Sequence, residues 1–207
     1  MKKISIWQYP YDKGFSICDK NKIDIDTGLT VLVGCNGIGK TTTLNNIYEE
    51  LKKDNIPVFR YSNLTDKSED NISTMVMRWT SSEGENISIN VGEIFSKIKL
   101  FMKTGNMSKS IKSVESNERW LLFDAVDSGY SIDNVIDLKK VFNLILEDAK
   151  KSNLDFYIVI SANEYELAND TNCLDVTTGD YIKFKDYEDY KDFILATRVK
   201  KNNRFKE

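Results

Sequence analysis

The stretch LVGCNGIGKTTTLNNI, from Leu32 to Ile47, decides the fold of this chain. It contains the pattern GxxxxGKT from Gly34 to Thr41, with the apolar run LTVLV before it and a helix-like pattern after it. The glycines at 34, 37 and 39 let the backbone bend so that its amides converge on phosphate oxygens. The amino end of the following helix adds partial positive charge at the same point. The stretch therefore predicts a phosphate-binding loop.

Each residue of this loop has an expected role. The predicted nucleotide contacts come from consecutive residues: Asn36, Gly37, Ile38, Gly39, Lys40, Thr41 and Thr42. The Lys40 ammonium is expected to reach the β- and γ-phosphates, and the Thr41 hydroxyl to ligate Mg²⁺. The run RWLLFD ends at Asp124, which places a carboxylate beside the metal. We therefore expect ATP and Mg²⁺ as cofactors, with Thr41 and Asp124 as metal ligands and Lys40 and Asp124 as catalytic residues.

The patterns along the rest of the chain predict an α/β fold. The predicted strands are KISIWQY, FSIC, NKIDID, LTVLVG, PVFRYS, RWLLFD, DFYIVIS, CLDVTT and YIKFKD. The predicted helices are Thr41–Lys53, Gly84–Met102, Ile132–Lys150 and Tyr187–Lys201. Several strands are nearly continuous in apolar residues, as parallel strands covered on both faces are. We expect a P-loop NTPase three-layer fold with a mostly parallel central sheet and an antiparallel N-terminal β flank.

The size and composition of the chain set limits on its function. Its 207 residues, 41% of them hydrophobic, suit a single domain over 1–207. The absence of histidine excludes a Ser-His-Asp triad, a Cys-His dyad and a His-ligated zinc site. Scattered cysteines and no signal peptide or long apolar run indicate a cytoplasmic protein without a membrane span. A net charge of −3 predicts no strong overall attraction to nucleic acid.

Three stretches resemble motifs of the ABC/SMC/RecF-type P-loop ATPases. GCNGIGKTT is similar to that family's phosphate loop, and FDAVDSGYSID, from Phe123 to Asp133, to its Walker B and D-loop segment. TSSEGENI, from Thr80 to Ile87, is similar to its signature motif. The same stretches resemble a small set of AAA-family proteins that are often phage-borne. The resemblance implies a minimal ATPase head and a role in DNA-related or phage-related processes.

The signature-like stretch implies an ATP-dependent homodimer. In the family, this motif caps a helix and contacts the γ-phosphate that the opposite subunit binds. The resemblance therefore assigns Ser82 and Gly84 to ATP binding, as a hydroxyl and an exposed amide at a helix start. Ser82 followed by Glu85 also fits an ordinary capping box, and the two interpretations are compatible.

Several positions depart from the family. Ala125 stands in place of the catalytic glutamate, and a methyl group cannot orient or deprotonate water. Asn163 lies near the position of the switch histidine and is assigned to the γ-phosphate, while Asn63 is a weak substitute for the Q-loop glutamine. Asp127, three residues past Asp124, is a further catalytic candidate, although D-loop residues more often build the interface. Loss of the base predicts a rate lowered by roughly 10²–10⁴.

Other interpretations stay open from the sequence. A P-loop kinase for a nucleoside or other small molecule needs the same loop, although the arginines are not clustered as a lid. A non-hydrolysing, nucleotide-dependent binding module is a further possibility. The basic tail at 198–207 could contact nucleic acid or complement a helix dipole. The polar stretch at 104–118 predicts a loop or insertion, and Cys35 is either a spacer or a redox switch.

Overall fold

The computed structural model describes residues 1–6, 18–62, 98–105, 116–128 and 130–203. The strands are β1 (Lys2–Ser5), β2 (Lys22–Ile25), β3 (Gly28–Val33), β4 (Val58–Ser62), β5 (Glu118–Asp124), β6 (Asp155–Ser161), β7 (Asn172–Asp175) and β8 (Tyr181–Ile182). The helices are α1 (Lys40–Lys53), α2 (98–104), α3 (Ile132–Lys151), α4 (Tyr165–Ala168) and α5 (Tyr187–Asn203). Most of the predicted helix Gly84–Met102 lies outside the described residues.

The central sheet has six strands in the order β4-β5-β6-β3-β7-β8. Its strand pairs are parallel, except that β8 runs antiparallel to β7. The strands β1 and β2 form a separate antiparallel pair, with Lys2 opposite Ile25. This topology confirms the predicted mixed α/β fold with a mostly parallel sheet and an antiparallel N-terminal flank.

The sheet separates two apolar layers because successive side chains of a strand point to opposite faces. Val31 and Ile158 lie in the layer that is completed by α3, α4 and part of α5. Leu32 and Val159 lie in the layer that is completed by α1 and the β1–β2 flank. The strands β3, β5 and β6 are therefore covered on both faces, and their carboxyl ends lie together at one edge of the sheet.

Two predicted strands near the carboxyl end of the chain are shorter than expected and one helix was not predicted, while residues 7–9 of KISIWQY and 15–17 of FSIC lie outside the described ranges. The strand β7 ends at Asp175 because the carboxylate of Asp175 accepts hydrogen bonds from the amide and hydroxyl of Thr177, which closes a turn. The strand β8 spans Tyr181–Ile182 instead of the predicted YIKFKD. The helix α4 has four residues, which is too short for a helical period to show in the sequence.

Helix α2 ends where the predicted polar stretch 104–118 begins. The buried guanidinium of Arg119 donates from Nε to the carbonyls of Phe101 and Met102, each at 3.2 Å. Arg119 is thus a second donor to the Phe101 carbonyl, which also accepts the amide of Gly105 at 2.7 Å, and a donor to the Met102 carbonyl in the last turn of the helix. Within the described ranges, no helix combines the length and the apolar character that crossing a membrane requires.

Candidate functional site

The loop between β3 and α1 has the backbone that its glycines predict. Gly34, Gly37 and Gly39 have φ angles of 140°, 74° and 128°, which favour glycine. A Cβ atom at Gly34 would lie 2.8 Å from Cγ2 of Ile38, so a side chain there would also collide with the loop. Gly39 precedes α1, and the described residues supply no side-chain cap at that helix start. The amino end of α1 therefore faces the loop with its amides, which is the arrangement of an anion site.

Lys40 lies within this loop and is 8% exposed. Its Nζ donates to the carbonyl of Gly34 at 2.6 Å and to that of Cys35 at 3.4 Å. Burial lowers the pKa of the Lys40 ammonium, and the charges of Cys35, Asp127 and Asp124 oppose that shift. The ammonium is thus held at the loop, close to both acids that follow β5.

Asp124 meets the loop at the end of β5, as predicted. It is 1% exposed, and its Oδ1 accepts a hydrogen bond from the Thr41 hydroxyl at 3.1 Å. Its Oδ2 is buried and has no hydrogen-bond partner among the described residues. A buried carboxylate oxygen without a partner is costly, so this atom points to a missing ligand.

Ser161 is a site residue that the sequence analysis missed. It ends β6, and its hydroxyl donates to Oδ1 of Asp124 at 2.5 Å. The Ser161 Oγ in turn accepts a hydrogen bond from the amide of Ala125 at 2.8 Å. Ser161 therefore holds Asp124 and the peptide that follows it in one orientation. The available signal was a polar residue closing the apolar run DFYIVIS, next to a strand that ends in an acid.

A cavity of about 340 Å³ lies between the loop and the end of β5. It is lined by most of the predicted site residues: Asn36, Gly37, Gly39, Lys40, Thr41, Thr42, Asp124 and Asn163. Ile38 is the exception in the loop, since its side chain is buried in the layer beneath and its amide donates to Cys35. Cys35 is itself buried, with 6% exposure, which favours a spacer over a redox switch.

The chain turns sharply after β5. Ala125 has a φ angle of 52°, in the left-handed region that favours glycine. Two residues further on, the buried carboxylate of Asp127 accepts hydrogen bonds at Oδ2 from the amides of Asn163 and Glu164. Its Oδ1 is buried and has no partner within the described part of the chain. Asp127 thus ties the turn after β5 to the loop after β6.

A second cavity, of about 350 Å³, adjoins the first and shares Asn36 and Asn163 with it. It lies between the loop after β6 and helix α5, whose Tyr190 lines it. Glu164 also lines this cavity, and its pKa is raised by burial first and then by the charges of Asp127 and Glu166. The carboxyl edge of the sheet therefore holds two cavities of similar volume side by side, one against the glycine-rich loop and one lined by aromatic side chains.

Comparison with known proteins gives distant structural likenesses. Neither a protein-family profile nor a curated protein matches the chain. The structure is similar to cbiO1 from Clostridium perfringens, part of the ABC transporter complex cbiONQ, with 14% identity and a TM-score of 0.49 over 97% of this chain and 93% of that one. It is also similar to a nucleotide-free ATP-binding cassette from an ABC transporter, with 14% identity and a TM-score of 0.47 over 94% of each chain.

A third likeness is to a DNA replication initiation factor, with 18% identity and a TM-score of 0.35 over 66% of this chain and 32% of that one. The strand order and the parallel register, rather than these likenesses, establish the mostly parallel α/β fold.

Some predicted site residues lie outside the described ranges. They are Ser82 and Gly84 of the signature-like stretch and Asn63 of the Q-loop position. Of the basic tail at 198–207, residues 198–203 belong to the end of α5. There, Lys200 pairs with Asp19 at 3.0 Å and Lys201 donates to the carbonyl of Asn36 at 2.9 Å. These two cations are therefore engaged with the chain itself.

Proposed function

We propose that this chain is an ABC-type P-loop NTPase that binds Mg-ATP and hydrolyses it slowly. The observation that carries the proposal is the 3.1 Å contact between the Thr41 hydroxyl and the Asp124 carboxylate. It joins the first turn of α1 to the end of β5, which are 83 positions apart in the sequence. If the loop were only a glycine-rich turn without a ligand, a buried acid in contact with its first helical turn would have no explanation.

Thr41 and Asp124 fit a magnesium site. Mg²⁺ prefers oxygen ligands and usually takes one or two from the protein, with phosphates and waters completing the set. The buried Oδ2 of Asp124, which has no hydrogen-bond partner in the described part of the chain, would be such a ligand. The described residues contain no cluster of three or more His, Cys, Asp or Glu side chains suited to a metal, and phosphate oxygens and waters would complete the coordination. The bound metal would neutralise charge on those oxygens.

The residues around the cavity perform the remaining tasks. The loop amides and the Lys40 ammonium hold the phosphates, and Ser161 fixes the orientation of Asp124. Ala125 lines the cavity with a methyl group, which supplies no base. Asp127 is buried and does not line the cavity, but one oxygen of its carboxylate has no partner in the described residues, and we assign this carboxylate to the attacking water. A base that is held by two amides and lies off the usual position supports slow turnover.

The proposal includes an ATP-dependent homodimer. Ser82 and Gly84 of one copy would contact the γ-phosphate that the other copy binds, as the motif resemblance implies. Slow hydrolysis would then release the two copies, so that the rate of ATP hydrolysis sets the lifetime of the dimer. We further propose that the protein acts in the cytoplasm, in a DNA-related or phage-related process. Arg198 and the tail residues 204–207 remain candidates for contacting nucleic acid.

The test measures nucleotide binding and turnover on the same preparation. Calorimetry with Mg-ATP should show binding in the wild type and its loss in Lys40→Ala, while Lys53→Ala, on the exposed end of α1, should bind normally. Phosphate release should be well below about 1 per second, the low end for typical enzymes, and Asp124→Asn should abolish it.

Four outcomes would contradict this proposal in different ways. Faster turnover that depends on Asp124 would exclude slow hydrolysis. Phosphoryl transfer to a nucleoside would favour the kinase, and binding with no turnover at all would favour a binding module. A protein that stays monomeric in light scattering at micromolar concentration, with and without Mg-ATP, would exclude the dimer.

A further inference from the structure

Helix α5 lies against the phosphate loop along one of its faces. Tyr190, Ile194, Thr197 and Lys201 are spaced by three or four residues, so they share that face. The Tyr190 hydroxyl donates to the carbonyl of Asn163 at 2.7 Å, at one end of the contact. Thr197 and Lys201 reach the loop itself at the other end. A helix that is far from the loop in sequence is thus in direct contact with it.

Thr197 binds the loop through a hydroxyl whose orientation is fixed. Its Oγ donates to the carbonyl of Ile194 at 2.8 Å and accepts the amide of Cys35 at 3.0 Å. Thr197 is 5% exposed and Cys35 is 6% exposed, so water has little access to either group. A buried amide that loses its acceptor is costly, and the loop must then rearrange or keep an unpaired group.

Lys201 binds the next peptide of the loop. Its Nζ donates to the carbonyl of Asn36 and lies 3.3 Å from the position that a Cβ atom would take at Gly37. Lys201 belongs to the last turn of α5, where the carboxyl end of the helix carries partial negative charge. Such charge beside an anion site disfavours phosphate, and the Lys201 ammonium offsets it.

We propose that α5 is a clamp that holds the phosphate loop in its nucleotide-binding shape, with Thr197 and Lys201 as positioning residues. This inference rests on the proposed nucleotide-binding function. The clamp fixes the amide of Cys35 and the carbonyl of Asn36, which lie directly before Gly37 in the loop. A loop that is ordered in advance spares the ligand the entropic cost of ordering it, and this raises affinity.

The test compares two substitutions at Thr197. Thr197→Val keeps the branched shape and removes the hydroxyl, whereas Thr197→Ser keeps the hydroxyl. In Mg-ATP calorimetry, we expect the valine variant to bind about tenfold more weakly, which corresponds to about 1.4 kcal/mol, and the serine variant to remain within about threefold of wild type. Thermal unfolding without nucleotide shows whether each variant is folded, because a purely structural role would lower stability without changing the affinity of the folded protein.

A second pair of variants tests the clamp without altering the buried contact. Lys201→Met should weaken Mg-ATP binding and reduce its dependence on salt, because one cation near the phosphates is lost. Lys200→Met removes the same charge one residue earlier, where the partner is Asp19, and should bind as the wild type does. This pair remains informative if the valine variant does not fold.

Two results would overturn the proposal that α5 holds the phosphate loop in its nucleotide-binding shape. Wild-type affinity in folded Thr197→Val, or equal losses in the two lysine variants, would show that the contacts do not position the loop. If the wild type itself has no affinity for Mg-ATP, the proposed function fails and the clamp's role in binding fails with it. The first result leaves nucleotide binding intact, so the two failures can be distinguished.

Discussion

Replacing Ser161 by alanine tests how the acid of the site is held. The Ser161 hydroxyl donates to Oδ1 of Asp124 at 2.5 Å and accepts the amide of Ala125 at 2.8 Å. Both side chains are almost completely buried, with 2% and 1% exposure for Ser161 and Asp124. The substitution therefore removes two hydrogen bonds at a place that water reaches poorly, while the change in volume is one oxygen atom.

The expected cost follows from these two contacts. A hydrogen bond to a charged acceptor contributes about 1.5–3 kcal/mol, and a buried amide without a partner costs about 1–3 kcal/mol. Asp124 keeps its bond from Thr41, so the two terms should not add fully, and we expect a loss of about 2–4 kcal/mol. Domains are stable by roughly 5–15 kcal/mol, so the variant should still fold.

Urea unfolding followed by circular dichroism measures this loss. The control is Ser152→Ala, since the Ser152 hydroxyl donates to the carbonyl of Asp148 at an exposed helix end. Its removal should change the free energy of unfolding by less than about 0.5 kcal/mol. In the same Ser161 variant, the Mg²⁺ concentration needed for nucleotide binding should rise by about 10–100-fold, as it does when a partner of a metal ligand is lost. A Ser161 variant that matches its control in both measurements would refute this account of the site.

Three further predictions concern other positions. Ala125→Gly should raise the free energy of unfolding by about 0.5–1 kcal/mol in urea titrations, because φ at this position is 52° and the relief exceeds the entropic cost of glycine. Burial raises the pKa of Cys173 to about 12, so its thiol should resist iodoacetamide in the native protein and react after unfolding, as mass spectrometry can show. The raised pKa of Glu164 means that its contribution to stability is complete below the ordinary value of 4.5 and is lost as the pH rises through the folded-state value. Glu164→Gln should therefore flatten the pH profile of the free energy of unfolding in urea titrations.

The local parts of the site were predictable from the sequence. The loop from Gly34 to Thr41 is contiguous, and its glycines occur where the backbone has positive φ angles. Asp124 follows a buried apolar run, so its position at the end of a strand could also be predicted. The strands β3, β5 and β6 were predicted closely for the same reason, because burial on both faces leaves a continuous apolar pattern.

The parts that depend on which strands are neighbours were not predictable. Ser161 binds Asp124 because β6 lies beside β5, with Phe123 opposite Ile160, and no periodicity in one sequence reports that pairing. The contact of Thr197 with Cys35 joins positions 162 residues apart. For the basic end of α5 the sequence leaves contact with nucleic acid and complementation of the helix dipole open, and it does not predict that two of the lysines bind within the chain.

The carboxylate of Asp127 has a consequence for protein engineering. One of its oxygens accepts hydrogen bonds from two consecutive amides, those of Asn163 and Glu164. The segment after β5 and the segment after β6 are therefore joined through this one side chain. If the segment after β5 were replaced by one from another protein, the segment after β6 would lose these hydrogen bonds unless the new segment carried an acid at the same position. The two segments should therefore be exchanged together, as one cassette, when this scaffold is redesigned.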